Sequence, residues 1–269
     1  MLFGGRTLTT RYADTWEWNG TTWTASTATG PAGRANHAMV YDAARQVVVL
    51  FGGSDNGQAF GDTWTWNGTT WTQVSTTGPA ARSRHRMAYD AQRQRVVLFG
   101  GVTGFATLAV VGDTWEWDGV SWTQRTFGSA PSARNYHAMA YDPVRQRVML
   151  NGGSDGSNTS GLTDTWTYDG VSWTLQGALS AGAYGKGASF DERRQRVIEF
   201  GGYSGPTTAT VFTNELWEWD GSTWAPQTAP GPSARRWPAM AWDGVNQKTL
   251  LFGGEDGNGF LGDTWQWGL

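Results

Sequence analysis

A block of about 50 residues occurs six times along this chain of 269 residues and constrains the fold more than any other feature. In each block a Gly-Gly pair ends an apolar run, and the pairs begin at Gly4, Gly52, Gly100, Gly152, Gly201 and Gly253. An Asp-Thr-Trp phrase follows each pair, except that Glu215-Leu216-Trp217 stands in the fifth block. Because repeated units bury their apolar faces against one another, this period predicts a repeat architecture.

The repeat also explains the composition. Of the 18 tryptophans, 16 occupy recurring positions of the block, and only Trp237 and Trp242 lie elsewhere. Such a content of aromatic residues excludes a disordered chain. The net charge of −3, without a run of lysine or arginine, argues against nucleic acid or a membrane surface as partner. The absence of cysteine excludes disulfides and thiolate chemistry. The sequence also lacks an apolar run of 18 residues, the length that would predict a membrane-spanning segment.

Each block predicts four short strands, a to d, as the second block shows. We expect strand a at residues 37–42, strand b at 47–53, strand c at 62–66 and strand d at 70–73. Strand b is almost wholly apolar, as is typical of a strand buried on both faces, and strand c alternates polar and aromatic residues. No window shows the apolar period of a helix, so the chain is predicted to be all-β.

The connections between the strands differ in how well they repeat. Between strands c and d stands Asn67-Gly68 or an equivalent Asn/Asp-Gly pair, which predicts a type I′ turn with both residues at positive φ. The a–b turns are equally uniform, as in DAARQ from Asp42 and DPVRQ from Asp142. The b–c loops vary in length and chemistry. Because variable loops on a rigid scaffold usually carry binding, we expect a ligand on the b–c/d–a face.

The block resembles the kelch repeat of β-propellers. The matching features are the Gly-Gly pair after strand b, the aromatic residues of strand c, the tryptophan of strand d and the Arg-x-x-His sequence that leads into strand a. That sequence occurs at Arg34/His37, Arg82/His85 and Arg134/His137. The resemblance covers essentially the whole chain and implies a kelch-type β-propeller, a fold that does not by itself choose a function.

We expect residues 1–269 to form one β-propeller domain of six repeat modules. The strand modules are predicted at 1–24, 37–73, 85–124, 137–175, 186–226 and 238–267. Strands b and c occur six times but strands a and d only five times. This count is compatible with either five or six blades. It is also compatible with a monomer or with an oligomer whose chains exchange their ends. The start of the chain shows no signal peptide. The sequence fixes no compartment, and a cell-surface position fits a chain that is part of a longer protein.

Two sets of side chains are candidates for ligand binding on the b–c/d–a face. The first set is aromatic and offers platforms to a protein or glycan ligand, unless each ring folds back over its own blade: Tyr12, Phe60, Phe105, Tyr203, Phe212 and Phe260. The second set is a recurring cation that either ties blades together through backbone carbonyls or forms a ring for a carboxylate: Arg34, Arg82, Arg134 and Arg235.

Three hypotheses of function follow. The first is a non-catalytic binding scaffold, because nearly every polar residue recurs whereas a catalytic residue normally occurs once. The second is a small sugar-acid-processing enzyme that uses the arginine ring, since kelch-like relatives include a sialic acid mutarotase. The third is a structural module of a longer surface protein. His37, His85 and His137 fall at one repeat position; this pattern is compatible with a metal site, but the resemblance implies framework residues. No cofactor motif is present.

Overall fold

The computed structural model describes residues 1–104, 108–157, 161–178, 183–204, 211–228 and 230–267, and the regular elements in these ranges are β-strands. The chain divides into two compact units, unit 1 (Met1–Thr126) and unit 2 (Phe127–Leu269). Within the described ranges there is no helix long and apolar enough to cross a membrane.

Unit 1 contains modules 1 to 3, each an antiparallel sheet. Its strands are β1 (Leu2–Phe3), β2 (Thr15–Trp18), β3 (Trp23–Ser26), β4 (Ala38–Asp42), β5 (Val47–Phe51), β6 (Thr63–Trp66), β7 (Trp71–Ser75), β8 (Arg82–Ser83), β9 (Arg86–Asp90), β10 (Arg95–Phe99), β11 (Val102–Thr103), β12 (Ala109–Val110), β13 (Thr114–Trp117) and β14 (Trp122–Arg125). The sheet orders are β1-β2-β3, β4-β5-β6-β7 and β9-β10-β13-β14, with a small sheet β8-β11-β12 in the loops of module 3.

Unit 2 contains modules 4 to 6. Its strands are β15 (Ala138–Asp142), β16 (Arg147–Asn151), β17 (Asp164–Tyr168), β18 (Trp173–Ala178), β19 (Gly187–Asp191), β20 (Arg196–Phe200), β21 (Tyr203–Ser204), β22 (Val211–Phe212), β23 (Leu216–Trp219), β24 (Trp224–Gln227), β25 (Ala239–Asp243), β26 (Lys248–Asp256) and β27 (Gly259–Trp267). The sheet orders are β15-β16-β17-β18, β19-β20-β23-β24 and β25-β26-β27, with the hairpin β21-β22 in the b–c loop of module 5.

The four-strand module is confirmed. In module 2 the strands begin and end within two residues of the predicted bounds, and they pair in the order a-b-c-d. Module 1 has strands b, c and d, and module 6 has a, b and c, as the strand count predicts. The sequence did not predict the short strands in the loops, because two-residue strands carry no period of their own. The number of blades stays a prediction.

The type I′ prediction for the c–d turn is wrong. Trp66 pairs with Trp71, so the loop has four residues, and only Gly68 has positive φ (96°). The Asn67 side chain accepts hydrogen bonds from the backbone N–H groups of Thr69 (2.9 Å) and Thr70 (2.8 Å). Asn-Gly suits this side-chain-capped turn as well as a two-residue turn, and the pairing of the two tryptophans decides the loop length.

The left-handed residue of the a–b turn is a glutamine in each module that has this turn. Its φ lies between 51° and 56°, a region that is unusual for a residue with a side chain: Gln46, Gln94, Gln146, Gln195 and Gln247. In module 2 the Asp42 carboxylate accepts a hydrogen bond from the Arg45 N–H (3.1 Å) and holds the turn. The uniform turns that the sequence shows are therefore structural requirements of strand pairing.

Tryptophan of strand d fastens each module to its neighbour within a unit. The indole Nε1 of Trp71 donates to Thr15 Oγ1, and that of Trp122 donates to Thr63 Oγ1, both at 2.9 Å. The ring of Trp122 also packs edge-on against Phe51, with centroids 5.2 Å apart. These strand-d tryptophans are thus framework residues, because each fills an intermodule contact and satisfies its own polar atom.

Two of the three histidines pack in the same intermodule layer. His37 and His85 lie edge-on to Phe3 and Phe51, at centroid distances of 5.7 and 5.5 Å. Burial lowers the pKa of His37 to about 3, and the pKa of His85 falls well below its ordinary value for the same reason. Among the described residues no three histidine, cysteine or acidic side chains are grouped to hold a metal.

The buried neutral histidines make stability depend on pH. A histidine with a depressed pKa in the fold takes up its proton on unfolding, so stability falls as the pH drops from about 6.5 toward 3. For His37 we expect a loss of about 2 kcal/mol between about pH 6.5 and 4.5, measured as the free energy of unfolding in urea. The variant His37→Gln should show a shallower pH dependence. Parallel profiles for the two proteins would contradict this explanation.

Candidate functional site

The arginines that the sequence offers to an acidic ligand are buried in the framework. In module 3, Arg82 is 1% exposed and grips the carboxylate of Asp113 with both terminal nitrogens, Nη1 to Oδ1 at 2.6 Å and Nη2 to Oδ2 at 2.8 Å. Its Nη1 and Nε also donate to the carbonyls of Gly100 and Ala80, at 3.0 Å each. The same arrangement joins Arg34 to Asp62, Arg134 to Asp164 and Arg235 to Asp263.

These pairs fix three parts of one module to each other. Each arginine precedes strand a, its carbonyl partner is the first glycine of the Gly-Gly pair, and its aspartate begins strand c. Burial of the Asp113 carboxyl opposes its ionisation, but the hydrogen bonds and charge of Arg82 outweigh that cost and lower the pKa of Asp113. The geometry favours a structural role for the arginines. It also gives a role to the recurring aspartates of strand c, to which the sequence assigned none.

The aromatic candidates of units 1 and 2 have different surroundings. Tyr12 is 41% exposed, and Phe60 lies flat against the Arg34 guanidinium, 3.9 Å from ring centre to Cζ. Phe105 lies outside the described residues. Phe260 is partly exposed in strand β27, where it pairs with Glu255. The part of these residues in ligand binding stays a prediction.

Tyr203 and Phe212, in contrast, belong to a compact group in unit 2, which we call the aromatic–cation cluster. Its members are Tyr136, Tyr184, Tyr203, Phe212, Arg236 and Trp237. The rings of Tyr184 and Tyr203 have centroids 3.9 Å apart, and Tyr136 stacks on Trp237 at 5.1 Å. Burial and the neighbouring Tyr184 raise the pKa of Tyr203, so its hydroxyl remains protonated.

A guanidinium lies among these rings. The Cζ of Arg236 is 3.9 Å from the ring centre of Trp237 and 4.7 Å from that of Tyr203. One terminal nitrogen of Arg236 donates to the Glu255 carboxylate at 2.7 Å. The three tyrosines are only 8% exposed, whereas Arg236, Trp237 and Phe212 remain partly exposed. The cluster therefore offers a cation, a carboxylate and aromatic surface at one place, the chemistry that recognition sites concentrate.

Four of the six cluster residues lie in segments that lead into strand a, and the other two, Tyr203 and Phe212, lie in the b–c loop of module 5. The positions one and two residues after the framework arginine hold Ala35 and Asn36 in module 2 and Ser83 and Arg84 in module 3. In modules 4 to 6 they hold Asn135 and Tyr136, Tyr184 and Gly185, and Arg236 and Trp237. The sequence predicted only Tyr203 and Phe212. For the other cluster residues the sequence held one signal: Trp237 lies outside the recurring tryptophan positions.

A second group in unit 2, the polar triad, consists of Asn151, Lys186 and Glu199. Lys186 Nζ and Asn151 Nδ2 donate to the same oxygen of Glu199, at 3.2 and 2.9 Å. Glu199 is fully buried, and its other carboxylate oxygen has no hydrogen-bond partner among the described residues. Burial raises the pKa of Glu199, and the lysine and asparagine offset part of that rise.

The triad replaces an apolar contact that other module interfaces keep. The corresponding residues are Phe3, His37 and Leu50 between modules 1 and 2, Phe51, His85 and Leu98 between modules 2 and 3, and Phe200, Pro238 and Leu251 between modules 5 and 6. All three positions change together between modules 4 and 5. Lys186 follows Tyr184 by two residues, so the triad and the aromatic–cation cluster share the segment that leads into strand β19.

Comparison with known proteins agrees with the fold. The family model described as KLHDC2/KLHL20/DRC7 Kelch-repeats domain matches residues 1–176. Among solved structures, YjhT matches with a TM-score of 0.73 at 15% identity, over 92% of this chain and 85% of that chain. At that identity the likeness shows the fold alone. A search of curated proteins finds no match.

The repeat, the all-β modules and the family match agree with one another. Each module is a meander of short antiparallel strands with the Gly-Gly pair after strand b, and the family model covers more than half of the chain. The chain belongs to the kelch-repeat family and has the fold of a kelch-type β-propeller.

Proposed function

We propose that the protein is a non-catalytic binding scaffold that recognises a glycan or protein ligand through the b–c/d–a face. The observation that supports this most is the aromatic–cation cluster of unit 2. There, tyrosine, tryptophan and arginine stand at positions that modules 2 and 3 fill with smaller or polar residues such as Ala35 and Ser83. Aromatic and arginine side chains supply most of the binding energy at recognition surfaces.

A glycan array tests the proposal. We expect selective binding to a few glycans, with affinity at least about tenfold lower in the variant Phe212→Ser, because a lost aromatic contact is worth more than about 1.4 kcal/mol. The matched control is Val171→Ser, a 76%-exposed residue on a uniform c–d turn of the same unit. Binding by Phe212→Ser that equals binding by the parent would show that the cluster is not part of the binding site. If no glycan binds, a protein ligand remains.

The enzyme alternative has one specific observation in its favour. Glu199 is an acid that occurs at its repeat position once, and burial raises its pKa beside Lys186. The framework arginines, which that alternative assigns to a substrate carboxylate, are each held by an aspartate of their own module. Exchange between the anomers of a sugar acid, followed by NMR and lost in Glu199→Gln, would favour the enzyme over the scaffold.

A further inference from the structure

A cavity of about 440 Å³ lies between modules 4 and 5 of unit 2, on the a–b/c–d face opposite the aromatic–cation cluster. Its lining residues are Asp142, Arg145, Arg147, Met149, Thr167, Gln176, Trp219 and Gly221. This volume is within the range of small-ligand sites. The cavity has buried apolar residues at its base, Met149 and Trp219, and cationic and amide side chains around them.

Modules 3 and 5 fill the corresponding place with a carboxylate of their own. Residue 167 is the fourth residue of the c-strand phrase, where module 3 has Glu116 and module 5 has Glu218. Glu218 binds the turn residue Arg194 at 2.8 Å, and Glu116 binds the turn residue Arg93 at 2.5 Å. Module 4 has a threonine there, whose side chain cannot reach an arginine of the turn. The carboxylate is thus missing while the arginines remain.

The two arginines of module 4 are held differently. Arg145 forms an ion pair with Asp142 at 2.7 Å and lies against Gly221 of module 5. Arg147 is exposed and forms no ion pair within the described part of the chain, although its charge favours the ionised form of the nearby Asp169 carboxylate. Beside it, the Gln176 amide donates to Thr167 Oγ1 at 3.0 Å and borders the cavity. Arg145 is the counterpart of Arg93 and Arg194, and within the described residues it has one carboxylate partner where each of those arginines has two, so an external carboxylate would supply the second.

We propose that this cavity is a second binding site that takes a carboxylate, either a small organic acid or an acidic side chain of a protein partner. Module 2 shows what sets module 4 apart. It also has threonine at the c-strand position, Thr65, but valine stands in place of both polar residues, Val47 for Arg147 and Val74 for Gln176. Module 4 therefore combines the missing glutamate with a second cation, Arg147, at the edge of the cavity.

The test is a calorimetric titration of the whole protein with N-acetylglutamate amide and its neutral isostere N-acetylglutamine amide. We expect saturable binding of the acid at millimolar concentration and at least about tenfold weaker binding of the amide, the difference that a charge-assisted hydrogen bond makes. Butyrate, which has the same side chain without the backbone, distinguishes the two sources: equal affinity for butyrate indicates a free acid, and weaker binding indicates an acidic side chain.

Three variants locate the binding. Arg147→Val should weaken binding of the acid at least about tenfold, and Thr167→Glu should do the same because its own carboxylate fills the cavity as in modules 3 and 5. Arg196→Val removes the equivalent arginine of module 5, where Glu218 is present, and should leave binding unchanged. Binding unaltered in Arg147→Val or Thr167→Glu, equal binding of the two probes, or no saturation would each overturn the proposal.

Discussion

Replacement of Glu199 by leucine is expected to lower the free energy of unfolding by about 3–5 kcal/mol, as removal of one partner from a buried ion pair does. Lys186 is only 6% exposed and would keep a buried charge without its carboxylate. Asn151 would lose its acceptor as well. Equilibrium unfolding in urea at neutral pH measures the effect. A loss below about 1 kcal/mol, the ordinary size for a single substitution, would contradict it.

The matched control converts the whole interface to the contact of modules 2 and 3. The triple variant Asn151→Phe, Lys186→His and Glu199→Leu recreates the set Phe51, His85 and Leu98. We expect it to recover most of the lost stability and to equal or exceed the parent, because well-packed apolar groups commonly replace a buried ion pair without loss. A triple variant as unstable as Glu199→Leu alone would show that the polar triad is not a coupled unit.

Replacement of Arg82 by methionine is expected to cost about 2–4 kcal/mol of unfolding free energy. The expected loss is smaller than for a fully buried ion pair, because the Asp113 side chain is 21% exposed and water can solvate its carboxylate once the arginine is gone. The variant loses both bonds to Asp113 and leaves the Gly100 carbonyl without its donor. Arg95→Met is the control, since the side chain of Arg95 makes a single weak hydrogen bond among the described residues, to the Gln94 carbonyl at 3.4 Å. It should change the free energy of unfolding by less than about 0.5 kcal/mol.

The same pair predicts the acid response of the two proteins. A lowered carboxyl pKa in the fold contributes stability above the ordinary aspartate value of about 4 and loses it as the pH falls below that value. The parent should therefore lose stability more steeply below about pH 4 than Arg82→Met. Identical unfolding energies at neutral pH, or a steeper acid loss in the variant, would count against a structural role for the pair.

The strands were predictable because a short period repeats six times. Alternation in strand c and the apolar run of strand b give the strand type, and repetition removes the ambiguity that one such segment would have. Prediction failed at the c–d turn for a physical reason. Asn67-Gly68 satisfies both a two-residue turn and a four-residue turn, and the pairing of Trp66 with Trp71 selects the second.

The sites were harder to predict because their residues are far apart in the chain. Arg34 and Asp62 are 28 residues apart, and each looks like an ordinary recurring residue until the fold joins them. The aromatic–cation cluster draws side chains from three modules. The polar triad needs three positions to be read together, since a single departure such as Lys186 looks like tolerated variation. What distinguishes the candidate sites is residues that break the repeat at neighbouring points of the fold.

Hydrogen–deuterium exchange, with and without the glycan that the array selects, tests most directly where a ligand binds. We expect slower exchange at residues 184–187, 203–204 and 235–237, which carry much of the aromatic–cation cluster, and unchanged exchange in the a–b turn at 192–195. Protection confined to the a–b and c–d turns, or absent at saturating ligand, would contradict the assignment of binding to the b–c/d–a face of unit 2.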